Sequence, residues 1–252
     1  MALNAVWGGI RGGVTFLTRL PVDTEKRDWD RFRASPAVFP LVAYLVGALA
    51  ALPFVVPEVP TPTAAFGYLL ALVLVVGIPH FDGVADVGDA MAAHGTDAAR
   101  TALKDTATGV GAIVAVAVVV AGLALAALGL GGLPVRAAVA IVIAAEVGAK
   151  LGMATVACLG TAAHEGFGSG FTGRADPPLL LGPALAALPA ALVVAPFPAG
   201  IAVVAVGPLV AVGLIRWANR TLGGVNGDVF GATNELARVL GLHVGVIAWT
   251  LS

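Results

Sequence analysis

Three carboxylates, Asp82, Asp86 and Asp89, stand in the stretch His80–Gly111, which reads HFDGVADVGDAMAAHGTDAARTALKDTATGVG. They are four and then three residues apart, so on a helix they share one narrow face. Acidic groups on one stripe repel each other, and a cation among them relieves the repulsion. Oxygen ligands without cysteine or paired histidine suit Mg²⁺, or Mn²⁺, better than Zn²⁺. The plainer reading is that Asp82 caps a helix while the other two face water, and spacing alone leaves both open.

Two further stretches carry the same chemistry. In Leu222–Glu235, LGGVNGDVFGATNE, Asp228 and Glu235 are seven residues apart on one helical face, with Asn226 and Asn234 beside them and four glycines to allow close backbone approach. Lys104 and Asp105, followed by Gly109 and Gly111, place a cation and a carboxylate at the entry of an apolar run, as a phosphate contact or as a helix cap and interfacial anchor. The loop from His164 to Arg174, HEGFGSGFTGR, reads as a substrate lid or as a flexible connector. Clustered acids with basic residues nearby suit metal-assisted phosphoryl transfer, in which a divalent ion bridges phosphate oxygens.

The elements that must position these groups are membrane helices. Of the 252 residues 59% are hydrophobic and 12% charged, with a mean hydropathy of +0.96, far from the composition of soluble domains. Net charge of −1 and the lack of a basic run with interleaved aromatics argue against a nucleic-acid partner. A single cysteine, Cys158, excludes an internal disulfide and a cysteine-based metal cluster. Residues 1–20 lack the unbroken apolar core and small-residue cleavage site of a removable leader.

Apolar runs long enough to cross a bilayer lie at roughly 37–56, 62–79, 109–131, 134–158, 178–196 and 198–217, with a marginal seventh at 236–251. The expectation is an all-α fold: a polytopic integral membrane bundle of six to seven transmembrane helices, preceded by an N-terminal amphipathic helix over Leu3–Leu20. The chain reads as one membrane domain, with 1–35 interfacial and cytoplasmic and 36–252 forming the bundle. The mixed charges from Val22 to Ser35 must sit in water. Six of the fourteen basic residues precede the first run and most others fall in alternate loops, which places the N-terminus and the long polar loops in the cytoplasm. Residues 80–108, 160–177 and 218–235 then share one face of the cell membrane. Glu146 and Lys150 fall inside the fourth run, where a charge is expensive, and their i,i+4 order lets them pair along the helix.

Four blocks in order resemble the cobalamin synthase family (adenosylcobinamide-GDP ribazoletransferase). They are Thr15-Phe16-Leu17-Thr18-Arg19-Leu20-Pro21-Val22, the block from His80 to Asp89, Lys104-Asp105 with Gly109 and Gly111, and Leu222 to Ala232 with Glu235 beyond. Two positions depart from the family pattern: Ala90 follows the third aspartate where glycine is common, and the second glycine of the lysine block falls at Gly111 rather than one residue on. The resemblance implies attack of the ribose 5′-hydroxyl of α-ribazole, or of its 5′-phosphate, on the cobinamide-linked phosphate of adenosylcobinamide-GDP, with GMP leaving. It implies Mg²⁺ held by Asp82, Asp86 and Asp228, with Asp105 and Glu235 as further ligands or supports and Asp89 as general base. Lys104 and Arg100 would neutralise phosphate, and His80, Asn226 and Arg174 would contact substrate. The lipid bilayer is a partner, and the reading leaves room for a homo-oligomer. A CDP-alcohol phosphotransferase uses similar metal-aspartate logic, but its D-G-x-x-A-R block is missing. An ion-coupled carrier would hold its acids near the bilayer midplane, whereas here they gather at run ends.

Overall fold

The computed structural model describes residues 2–103, 105, 107–195 and 197–252. Helix α1 (Ala2–Leu17) is followed by α2 (Lys26–Arg33), α3 (Val38–Ala50), the single turn α4 (Leu52–Val55), α5 (Thr61–Val75), α6 (Pro79–Ala92) and α7 (Thr96–Ala102). Then come α8 (Val110–Gly131), α9 (Val135–Leu159), the short α10 (Phe167–Thr172), α11 (Leu181–Val193), α12 (Ala199–Thr221) and α13 (Gly227–Thr250). No strand occurs among the described residues, so the architecture is all-α as expected.

The expected six to seven spans are met only in part. Among the described residues three helices, α8, α9 and α12, are long and apolar enough to cross a membrane, or up to five spans if the bent pairs α2–α3 (106°) and α5–α6 (96°) each count as one. The run at 37–56 breaks at Ala51, where α3 ends and Pro53 opens the next turn. The run at 178–196 yields only the 13-residue α11, with Pro189 inside it. Helix α13 is 24 residues long, but Asp228, Glu235 and Arg238 occupy its first half. The bend of 96° turns α6 off the axis of α5.

Helix α9 is the centre of the bundle. Every residue from Ala144 to Cys158 is buried, the pattern of a helix surrounded by others. Gly148 and Gly152 face Gly207 and Val204 of α12 so closely that a methyl group at Gly152 would sit 2.8 Å from the Gly207 carbonyl oxygen. Small residues at such crossings let backbones approach in lipid, where packing replaces the hydrophobic drive. At the periphery, Ile113, Val114, Val118 and Leu125 of α8 and Leu181, Leu185, Leu188 and Leu192 of α11 point outward. An apolar belt of this extent is stable against hydrocarbon and not against water, and the chain is a membrane protein.

Charge is also buried in this centre. Arg238 of α13 bonds both carboxylate oxygens of Glu146 and one of Glu235. Lys150 lies 3.6 Å from Glu146 and donates to Asn234 Oδ1 at 2.6 Å. The expected Glu146–Lys150 pair is therefore present, with Arg238 as a third member, and the two acids and two bases neutralise each other. Tyr68 is fully buried near this cluster, and its hydroxyl has no partner among the described residues.

The mixed-charge segment is drier than expected. Asp28 on α2 is buried, flanked by Arg31 at 3.6 Å and Arg11 of α1 at 3.8 Å, and Phe32 is buried beside it. Arg19 just beyond α1 donates its backbone N–H to the Val75 carbonyl at the end of α5. Its side chain lies against Gly77, whose φ of +82° makes the turn into α6. The end of α1 is thereby fixed to the α5–α6 corner.

Candidate active site

The starts of α6 and α13 cross at Gly83, where an added Cβ would stand 2.7 Å from the Asp228 carbonyl oxygen. Only glycine admits that approach, which brings Asp82 and Asp86 to Asp228. The loop before α13 is tied in the same place, since Val225 N–H donates to Thr161 O (2.8 Å) and Ala163 N–H to Val225 O (2.9 Å). The polar connections expected on one face do converge.

The carboxylates sense each other. Desolvation first, then Asp228, Asp82 and Asp89, push the Asp86 carboxyl up from 3.8 to about 6. Asp228, half-buried, is also raised, chiefly by burial and further by Asp82, while the Asn226 amide and His164 act the other way. Asn226 caps α13, its Oδ1 accepting from Val229 N–H and its Nδ2 donating to Asp228 Oδ2 at 2.7 Å. The side chains of Asp82 and Asp86 have no hydrogen-bond partner among the described residues.

These positions differ from a closed metal cage. Among the described residues no three His, Cys, Asp or Glu side chains come together closely enough to enclose a metal ion. Mg²⁺ is commonly held by one or two carboxylates with the rest of its shell from phosphate and water, and an open, oxygen-only pair of unpartnered acids fits that mode.

Asp89 is engaged elsewhere. Its Oδ2 accepts from Gly109 N–H and its Oδ1 from Ala112 N–H, both at 2.8 Å, so it caps α8 from α6. Gly109 and Gly111 leave room for this contact. Each oxygen thus accepts a backbone N–H, and Asp89 ties the start of α8 to α6. Glu235 is buried, with its oxygens on Arg238 and Asn234 and His80 Nδ1 at 3.6 Å, and so is engaged within the buried charge cluster. Asp105 is exposed and accepts from Ala107 N–H, and Arg174 lies near Asp30 at 3.8 Å, on the α2 side. Neither is brought to the acids. Lys104 lies outside the described residues.

Two cavities meet at Asp228. The smaller, about 310 Å³, is lined by Phe16, Leu17, Val76, His80, Phe167, Asp228 and Phe230 among others. The larger, about 850 Å³, holds Arg100, His164, Asn226 and Leu222 and shares Phe167, Gly227 and Asp228 with the first. His80 lines the smaller cavity, and Arg100 and Asn226 line the larger. Sequence reasoning passed over the aromatic wall: Phe16, Trp29, Phe32, Phe167 and Phe171 form a cluster joining α1, α2 and α10. Its only signal was the pair of phenylalanines in the glycine-rich 164–174 loop and one in the N-terminal block.

An acidic cleft flanked by two cavities, at the ends of helices in an apolar bundle, is the layout of a membrane-bound enzyme. The family model for cobalamin-5-phosphate synthase matches residues 9–246, and the chain belongs to that family. A protein of Halorubrum lacusprofundi named adenosylcobinamide-GDP ribazoletransferase is 51% identical over 96% of this chain and 97% of its own length. Proteins of the same name from Haloquadratum walsbyi and Escherichia coli O157:H7 are 42% and 34% identical, over 98% and 90% of this chain and 100% and 94% of theirs. No solved structure matches the chain.

Proposed function

We propose that the chain is an adenosylcobinamide-GDP ribazoletransferase of the membrane, a Mg²⁺-dependent transferase of substituted phosphate groups working on the cytoplasmic side. Its substrates are adenosylcobinamide-GDP and α-ribazole or α-ribazole 5′-phosphate. The 5′-oxygen bonds to the cobinamide-linked phosphorus, the bond from that phosphorus to the bridging oxygen breaks, and GMP leaves with that oxygen. The observation that carries the reading is Asp228 in the wall between two cavities, beside Asp82 and Asp86.

Asp82 and Asp86, four residues apart with free oxygens, would hold the cation together with diphosphate oxygens. When bound, Mg²⁺ neutralises charge on the diphosphate and on the departing GMP. Arg100, which lines the larger cavity together with Asp228, adds positive charge for phosphate. Asp228 keeps Oδ1 free while Asn226 holds Oδ2, and its raised affinity for protons suits it to take the hydroxyl proton. Asp89 acts by holding α8 against α6.

The test is GMP release by purified protein given adenosylcobinamide-GDP, α-ribazole and Mg²⁺. Turnover is expected from wild type and none from Asp82→Asn or Asp86→Asn, with both variants eluting as folded protein. Full activity in either variant overturns the cation assignment, and no turnover in wild type overturns the reaction.

A further inference from the structure

We propose that the smaller cavity seats the aromatic base of the acceptor nucleoside, and that His80 Nε2–H donates a hydrogen bond to a ring nitrogen of that base. This rests on the transfer reaction above and assigns its acceptor subsite.

The cavity is sized and surfaced for one flat ring system. At about 310 Å³ it lies at the small end of ligand cavities, too small for a corrinoid, whereas the 850 Å³ neighbour is the roomier partner. Phe16 and Phe167 stack on each other with centroids 4.8 Å apart and planes 18° apart. Together with Phe230, Leu17 and Val76 they make the walls apolar. The titratable side chains of its lining are His80 and Asp228 alone. Guanine carries several donors and acceptors on its edges, and this lining would leave most of them unpaired, which is costly in a dry site. A mostly hydrocarbon N-heterocycle with one bare ring nitrogen, such as a benzimidazole, needs a single donor. Asp228, in the same lining, then faces the sugar end, where the attacking hydroxyl lies.

The buried charge cluster fixes that donor. The Lys150 ammonium has protons to give and no lone pair, so Asn234 must present Oδ1 to it, at 2.6 Å. The Asn234 Nδ2 amide then donates to Glu235 Oε1 at 2.9 Å and to His80 Nδ1 at 3.0 Å. Nδ1 is therefore the acceptor nitrogen of the neutral ring, and the proton resides on Nε2. His80 Nε2 has no hydrogen bond within the described residues, yet it is not among the sealed, unpaired atoms of the interior. His80 itself lines the cavity, and Nε2 is the ring nitrogen left for a ligand. Lys150 and Asn234 are positioning residues in this arrangement, and they act on the acceptor through the His80 tautomer.

The experiment uses the full chain in detergent, α-ribazole, and the matching indole riboside, in which carbon replaces the bare ring nitrogen. One hydrogen bond lost corresponds to about tenfold in binding. Wild type is expected to show KM for the indole compound about tenfold above that for α-ribazole, and His80→Phe to show no difference between the two. Val76→Phe, which fills the cavity without touching the donor, is expected to raise KM for both nucleosides while KM for adenosylcobinamide-GDP stays within about twofold. Equal use of the two nucleosides by wild type, or a rise confined to the adenosylcobinamide-GDP KM, overturns the assignment. If His80→Phe does not fold, the wild-type comparison and Val76→Phe still decide. If wild type releases no GMP, calorimetric titration with each nucleoside separates the two claims: a tenfold preference for α-ribazole supports the cavity while faulting the reaction, and equal or absent binding overturns the cavity as well.

Discussion

Replacing Asp86 by Asn is expected to stabilise the cation-free protein while abolishing transfer. The Asp86 carboxyl is raised from 3.8 to about 6 by burial and by three neighbouring aspartates. At about 1.4 kcal/mol per pK unit this corresponds to an upper bound of about 3 kcal/mol against the ionised fold. Asp86 is only partly buried, and solvent screening reduces the figure to about 1 kcal/mol, or roughly 2–4 °C in melting temperature for a chain of this size. An acid raised in the fold destabilises it when ionised. The penalty is absent below the unfolded value near 3.8 and complete above the folded value near 6. In EDTA at pH 7.5 Asp86→Asn should melt a few degrees above wild type, and the gap should shrink as pH falls from 6 toward 4. Mg²⁺ should close the gap at pH 7.5 by raising wild type alone. Differential scanning fluorimetry in detergent measures all three. A variant that melts at or below wild type in EDTA at pH 7.5 would refute the repulsion on which the site assignment depends.

Two other perturbations separate catalysis from architecture. Asp89→Ala removes two backbone hydrogen bonds at the start of α8 and is expected to lower stability by about 1–2 kcal/mol. Asp89→Asn should recover part of that loss and substantial turnover in the GMP assay, whereas a true general base would recover none. Arg238→Met strands the Glu146 and Glu235 carboxylates at about 3–5 kcal/mol, read as loss of folded protein on size exclusion. Adding Glu146→Gln to it should restore part of the yield, and no recovery would argue that Arg238 acts other than by neutralising Glu146.

Much of this was legible because carboxylates and glycines at helix starts are local signals. The apolar runs at 109–131, 134–158 and 198–217 became α8, α9 and α12 almost unchanged, since nothing in them competes with a helix. The other runs are less regular because hydropathy does not measure continuity: helix is interrupted at Ala51 and the chain bends at Gly77. Asp89 could not be told from Asp82 and Asp86, because its partners are amides 20 and 23 residues away. Glu146 and Lys150 were paired correctly by spacing, but Arg238, 92 residues on, is a neighbour only once α9 and α13 pack. The surroundings of Glu235 were hidden for the same reason: its face on α13 is set by charges from α9 and α6.

The walls of the small cavity come from residues 16 and 17, 76–80, 153, 167 and 227–231. Residues of α1 and α13, far apart in the chain, must therefore meet before the pocket exists. Without α13 the aspartates of α6 remain, but Asp228 and the wall formed by Gly227, Phe230 and Gly231 are lost. The pocket is thus a property of the packed bundle and of no shorter stretch of it.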